Sequence, residues 1–384
     1  MKPGYKQTEV GVIPEEWEVR PLLKAVRIAN GQVDPRAEPY KSMILVAPDH
    51  IESDTGRLLA RQTAGEQRAI SGKYAFDSGD IIYSKIRPYL RKAVLAEFDG
   101  LCSADMYPLK PASDISGGFM LAVLLGYRFS KYAESVSVRS GMPKINRAEM
   151  ADFSVAIPPV FEQRAIADAL SDVDALLGAL DRLIAKKRDL KQGAMQQLLT
   201  GQTRLPGFHG EWGIKRLASV CTMKSGEGIT SANIDDSSMY PCYGGNGLRG
   251  FAARYTHIGG YALIGRQGAL CGNVLGVEGT FFASEHAIVV TASPQTDIRW
   301  LTCMLGEMRL NQYSESSAQP GLSVAKLLHL DVAVPPTKGE QAAIANALAA
   351  MDAELAALDQ RRDKTRALKQ GMMQELLTGK TRLV

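Results

Sequence analysis

One block of 44 residues occurs twice in the chain, and no other feature constrains the fold as strongly. Residues 162–205 align with residues 340–383 at a constant offset of 178, with 28 identities and no gap. Glu162-Gln163 recurs as Glu340-Gln341, Leu190-Lys191-Gln192-Gly193 as Leu368-Lys369-Gln370-Gly371, and Leu198-Leu199-Thr200-Gly201 as Leu376-Leu377-Thr378-Gly379. Loops tolerate insertions, so a gapless repeat of this length predicts a rigid element of fixed length. Ile166, Leu170, Val173, Leu177, Leu180 and Ile184 step by 4, 3, 4, 3 and 4, and Ile344, Leu348, Met351, Leu355 and Leu358 repeat the pattern. That spacing is the apolar seam of a helix packed along one partner helix. Pro158-Pro159 and Pro335-Pro336 precede the two copies and Gly201 and Gly379 follow them, as expected at helix ends. The 38 residues from Glu162 to Leu199 would span roughly 57 Å at ~1.5 Å per residue. An exposed seam of that length would not persist in water, so the two copies are expected to form a long helix pair. The alternative is two amphipathic helices, each buried in its own domain.

The duplication extends beyond the helix. Glu16-Trp17-Glu18-Val19-Arg20-Pro21-Leu22 opens the first half and Glu211-Trp212-Gly213-Ile214-Lys215-Arg216-Leu217 the second. Thr203-Arg204-Leu205, which leads into the second opening, recurs at the end of the sequence as Thr381-Arg382-Leu383, so the halves are expected to close on each other around a pseudo-two-fold axis. Each half then contains a globular segment of short apolar runs separated by Gly, Asp and Pro. Residues 42–46, 80–83 and 93–95, and then 261–264, 272–275 and 287–290, read as strands. Residues 118–132 and 298–310 read as helices. The segments align weakly, Gly79–Lys85 over Gly260–Arg266 at an offset of 181 and Ile145, Met150, Phe153 and Val155 over Leu322, Leu327, Leu330 and Val332 at 177. The expected fold is α+β: two similar mixed globular domains joined by two long antiparallel, coiled-coil-like helices. The divisions fall at 1–156, 157–205, 206–333 and 334–384.

The totals exclude several classes of protein. A net charge of +4 permits nucleic-acid binding without requiring it, so local basic clusters must carry that argument. Five cysteines with no CxxC pair make a disulfide framework or a zinc site an unfavourable reading and fit a reducing cytoplasm. The first 17 residues show no signal-peptide core, and the longest apolar run, near residues 119–125, is too short for a membrane span. No GxxxxGK[ST] loop, Asn-Pro-Pro-Tyr motif, catalytic constellation or spaced histidine ligands occur. Gly245-Asn246-Gly247-Leu248-Arg249-Gly250 has the GxGxxG form, but the residues after it resemble a strand or turn, whereas a dinucleotide site needs a helix there.

The chemistry that remains lies on loops. Lys85, Arg87, Arg91 and Lys92 with Tyr89 follow a predicted strand. Four cations in so short a stretch suit phosphates and base edges, since Arg can hold guanine with two hydrogen bonds. Arg266 and Gln267 occupy the equivalent loop of the second half, where Gln could pair with adenine. Lys144 and Asn146 in the loop 140–147, Gln319 in its counterpart, and Asn246 and Arg249 on the glycine turn complete the DNA-binding candidates. A solvated charged turn is the bland alternative for the Lys85–Lys92 stretch and for Arg266 and Gln267, and a plain connector is the alternative for the loops that hold Lys144, Asn146 and Gln319. On the helices, Gly193 and Gly371 interrupt the helical pattern at ~1 kcal/mol each relative to Ala, and Leu190, Met195, Leu198, Leu368, Met373 and Leu376 add apolar surface beyond a two-helix seam. A close helix crossing or a docked partner protein would account for both features.

Together the duplicated Pro-Pro…Glu-Gln helix, the Leu-Lys-Gln-Gly…Leu-Leu-Thr-Gly endings and the openings at Trp17 and Trp212 resemble the specificity subunits of type I restriction–modification enzymes, over essentially the whole length. The resemblance implies two target recognition domains that read a bipartite double-stranded DNA site, separated by the two helices. It implies two methyltransferase subunits docked on those helices, with motor-nuclease subunits completing the assembly. The chain itself would be non-catalytic, and S-adenosylmethionine, ATP and magnesium would belong to the partners. A stand-alone DNA-binding or coiled-coil scaffold, and an enzyme of unfamiliar mechanism, remain as alternatives.

Overall fold

The structure, a computed structural model, describes residues 3–138, 141–268, 270–314 and 321–383. The repeated block forms two helices, Val160–Leu199 of 40 residues and Lys338–Leu376 of 39. The chain divides into two compact units, residues 1–181 with 360–384 and residues 182–359. Each unit therefore owns half of each long helix, a division that cuts across the boundaries drawn from the sequence. Within the first unit Glu162 pairs with Arg382 and Asp174 with Lys369. Within the second, Arg204 pairs with Glu340 and Lys191 with Asp352. High numbers meet low ones in each unit, so the two helices run antiparallel.

In the first unit a four-stranded antiparallel sheet has the order Val26–Ile28, Met106–Pro111, Ile81–Ser84, Ala93–Leu95. Helices Gly117–Leu125 and Tyr127–Val136 follow it in sequence. The sequence predicts one helix here; the chain breaks it at Gly126, whose backbone is extended (ψ 156°). The same unit has a smaller three-stranded sheet in the order Leu45–Val46, Gly100–Cys102, Tyr74–Phe76. The second unit carries a six-stranded sheet in the order Cys221–Ser225, Ala287–Ala292, His257–Gly265, Val274–Ala283, Tyr240–Gly244, Gly247–Ala252. Its predicted strand at 272–275 begins only at Val274, because Gly272 turns the chain with φ +87°. Its helix ends at Glu307, short of the predicted Leu310, and Arg309 at φ 47° leads into a 3-10 turn.

The faint alignment of the two halves becomes a shared scaffold. Met106 faces Ser84 in the first unit as Ala287 faces Gly265 in the second, all at offset 181. Ser154–Ile157 pairs with Glu18–Pro21 as Asp331–Val334 pairs with Gly213–Arg216. The long helices supply one wall of each core. Ile166, Leu170 and Leu376 pack with Trp17, Phe119 and Phe129 in the first unit. Ile344, Leu348, Leu198 and Leu199 pack with Leu217, Trp300 and Leu305 in the second.

Buried polar groups lock these helix ends. Glu162 is fully buried; it accepts from Trp17 Nε1 (3.0 Å) and from Arg382 Nε and Nη2 (2.6 and 2.9 Å). Glu340 does the same for Trp212 Nε1 (3.3 Å) and Arg204 Nη2 (2.8 Å). Gln163 accepts from Ser116 N at 2.8 Å, as Gln341 does from Asp297 N at 2.8 Å. The Glu-Gln pair that marks the repeat is thus structural, satisfying donors that burial would otherwise leave unpaired.

Candidate nucleic-acid interface

In the first unit the basic loop and the loop before residue 147 form one ledge. Ile86 pairs with Lys144 in a β-bridge, Ile145 N donates to Lys85 O (2.9 Å) and Arg87 N donates to Pro143 O (2.7 Å). The cations of this ledge are not equally available. Arg91 meets Asp54 at 2.7 Å, and burial raises the Asp54 carboxyl above its ordinary range while Arg91 and Lys369 oppose the rise. Lys92 Nζ donates to Pro48 O at 2.7 Å. The Lys85 ammonium lies 5.2 Å from the centre of the Tyr107 ring. Asn146 caps helix Arg147–Ala151, its side chain accepting from Glu149 N at 2.9 Å. Arg87 and Lys144 remain exposed, and Tyr89 is 51% exposed.

The second unit builds the matching ledge. Gln267 bridges Gly321, and Leu322 N donates to Arg266 O (3.0 Å), at offsets 181 and 177 from their counterparts. The Arg266 guanidinium donates to Ser225 Oγ at 3.1 Å and its backbone N to His286 O at 2.9 Å. The hairpin turn at Gly244–Gly247 presses against this ledge. A Cβ on Gly245 would stand 2.9 Å from His286 O and 3.4 Å from Gly265 Cα, so only glycine allows the approach. Asn246 and Arg249, carried on this hairpin, are both exposed. The GxGxxG stretch is this turn and strand Gly247–Ala252, with no helix behind it. Gln319 lies outside the described residues.

Sequence reasoning missed the groups that hold the ledges. Tyr107, Ser225 and the backbone of His286 support them. So does Arg147, which donates to Asn30 and to Ala29 O and lies 5.8 Å from the Tyr107 ring centre. Apart from Arg147, which belongs to the loop 140–147 itself, these supports come from strands and loops remote in sequence, and only their pairing reveals them.

A family model described as "Type I restriction modification DNA specificity domain" matches residues 14–186 and again 209–365. The chain belongs to this specificity-domain family. Among curated relatives it is similar to the Escherichia coli type I restriction enzyme EcoprrI specificity subunit, 49% identical over 125 residues. It is also similar to the E. coli EcoDI specificity subunit, 34% identical over 202 residues. These matches cover 32% and 52% of this chain and only 31% and 45% of those relatives. The fold also matches a solved type I restriction-modification system S subunit from M. genitalium, with a TM-score of 0.63 at 17% identity, over 98% of this chain and 99% of that one. A chain from "Structural basis underlying complex assembly and conformational transition of the type I R-M system" gives 0.62 at 16%, over 96% and 99%.

The remaining candidates from the sequence lie on the long helices. Leu190 and Leu368 are 51% and 59% exposed. Leu198 and Leu376 instead lie in the cores of their own units, and Met195 and Met373 pack partly against those cores. A Cβ on Gly193 or Gly371 would meet nothing within 4 Å. A close helix crossing therefore does not explain the two glycines. Among the described residues no group of three His, Cys, Asp or Glu could hold a metal ion, and no helix is long and apolar enough to cross a membrane.

Proposed function

We propose that this chain is the non-catalytic DNA-reading subunit of a type I restriction–modification assembly. Each unit would read one half of a bipartite double-stranded target. The observation that carries this reading is the pair of equivalent ledges. The same backbone ladder carries Lys85, Arg87 and Lys144 in one unit and Arg266 and Gln267 in the other, with Tyr89 on the turn that follows the first ladder and Asn246 and Arg249 on the hairpin turn pressed against the second. A shared mount with divergent side chains is what two different half-sites require, because phosphate contacts position and base contacts specify.

Methyltransferase subunits would dock on the outer helix faces around Leu190 and Gly193 and around Leu368 and Gly371, with motor-nuclease subunits joining them. S-adenosylmethionine, ATP and magnesium would be bound by those partners. The chain would act in the cytoplasm. The test is a map of methylated adenines in cells expressing this chain with its companion methyltransferase subunit, compared with cells lacking this chain. A gapped motif that depends on the chain is expected. Identical methylation in both cells would refute the reading and favour a DNA-binding scaffold without methyltransferase partners.

A further inference from the structure

We infer that Arg87 is the residue that fixes a guanine in the half-site read by the first unit. The inference rests on the DNA-reading function proposed above and deepens it. After the shared ladder, the described residues of the two units' loops share a closing hydrogen bond and two left-handed positions. Leu90 N donates to Arg87 O at 2.9 Å, and Cys271 N donates to Gly268 O at 3.0 Å, both 181 positions on. In the second unit the two left-handed positions of this turn hold Gly268 (φ +84°) and Gly272 (φ +87°), the residue that adopts such angles freely. In the first unit the same positions hold Arg87 (φ 47°) and Arg91 (φ 46°). A side chain there carries a conformational cost, and such costs collect at functional sites.

Arg91 has a local reason for its place. Its guanidinium meets Asp54 at 2.7 Å, and Asp54 N donates to Arg91 O at 3.2 Å. Arg87 has none: among the described residues its exposed guanidinium has no hydrogen-bond, ion-pair or ring partner. Its backbone, by contrast, is held firmly. Its N donates to Pro143 O, its O accepts from Leu90 N, and Pro88 begins the 3-10 turn that follows. A fixed mount bearing a free planar donor suits a base edge, where two hydrogen bonds must align. Arg paired with O6 and N7 of guanine is the contact such a donor makes. Lys85, Arg91 and Lys92, engaged elsewhere, do not compete for this role.

The experiment compares wild type, Arg87→Gly and Arg87→Lys, each co-expressed with the methyltransferase subunit. It reads the methylation motif and measures binding to targets substituted one base pair at a time. Arg87→Gly should fold with an undiminished thermal midpoint, because glycine fits the angle as Gly268 does. Both variants should lose about 10- to 100-fold discrimination at one G·C pair of the first half-site, the range a bidentate pair supplies, and keep the second half-site. The reciprocal Gly268→Arg, where a Cβ would meet nothing within 4 Å, should change the second half-site only. If Arg87→Lys keeps the wild-type motif while Arg87→Gly weakens all sequences equally, the contact is to phosphate and the assignment is overturned. An unchanged motif in Arg87→Gly also overturns it and leaves the proposed function standing. Absence of any gapped motif with wild type overturns both.

Discussion

Replacing Glu162 by Ala should unlatch the first unit from its share of the long helices. The fully buried carboxylate accepts one hydrogen bond from Trp17 and two from Arg382. Without it the indole N–H is left unpaired at a cost of about 1–3 kcal/mol. Breaking a buried ion pair from one side costs about 3–5 kcal/mol, but Arg382 keeps Glu16 at 2.9 Å and its side chain is 21% exposed, so water and Glu16 recover part of this. Because the two losses share one carboxylate they do not add, and a net of about 3 kcal/mol is expected. For a unit of roughly 200 residues that is about 6–12 °C in Tm. Amide hydrogen exchange should show the loss around Trp17 and Phe119 in the first unit, with the core around Trp300 unaffected. In a double-mutant cycle, Glu162→Ala with Arg382→Ala should cost less than the sum of the two single changes. A loss below about 1 kcal/mol, or strict additivity within about 0.5 kcal/mol, would refute the argument that this buried acid anchors the helix ends.

Three further outcomes follow from the same structure. Burial lowers the pKa of His257, stacked 5.4 Å from the Phe281 ring, below its ordinary 6.5. The unfolded chain therefore takes up this proton first, so the stability of the second unit should fall as pH drops below about 6.5, and His257→Asn should flatten that slope in urea titrations at pH 7.5 and 5.5. Asp297 caps helix Ile298–Glu307 by accepting from Arg299 N and Trp300 N. Burial opposes its ionisation, but these bonds and the Arg299 side chain prevail and its pKa is lowered, so its contribution is present above the ordinary 3.8 and is lost as pH falls through the lower folded value; Asp297→Ala should cost about 1 kcal/mol at pH 7 in denaturant titration. Burial raises the pKa of the Cys102 thiol and pushes that of Cys221 up to about 12, so both should resist a thiol reagent in the native protein and react only on unfolding.

The long helices were legible because their signal is periodic, local and repeated. A seam stepping by 3 and 4 between Pro pairs and glycines fixes helix type and length within a few residues, whatever surrounds it. The pairing of the two copies was also legible, since neither apolar seam could remain in water. The ledges were visible only as charge clusters. Composition places Arg87, Arg91 and Lys92 together but cannot show that Asp54 and Pro48 engage two of the three, because those partners lie more than 30 residues away in sequence. The glycines at 193 and 371 suggested a close crossing or a docked partner, and a Cβ on either would meet nothing within 4 Å, so a crossing does not account for them. Leu198 and Leu376 looked like partner-facing surface, yet they fill cores formed by segments remote in sequence.

The sequence by itself determined the long helices and the internal repeat, because these follow from periodicity along the chain, and its repeated motifs carried the resemblance to the family. Only the tertiary structure decided which repeated residues latch the helix ends and which cations remain free. Glu162 and Glu340 look like ordinary helix-surface acids until folding buries them against Trp17 and Trp212. The availability of a charge is set by what folding brings within about 3 Å of it, a distance that sequence separation does not encode.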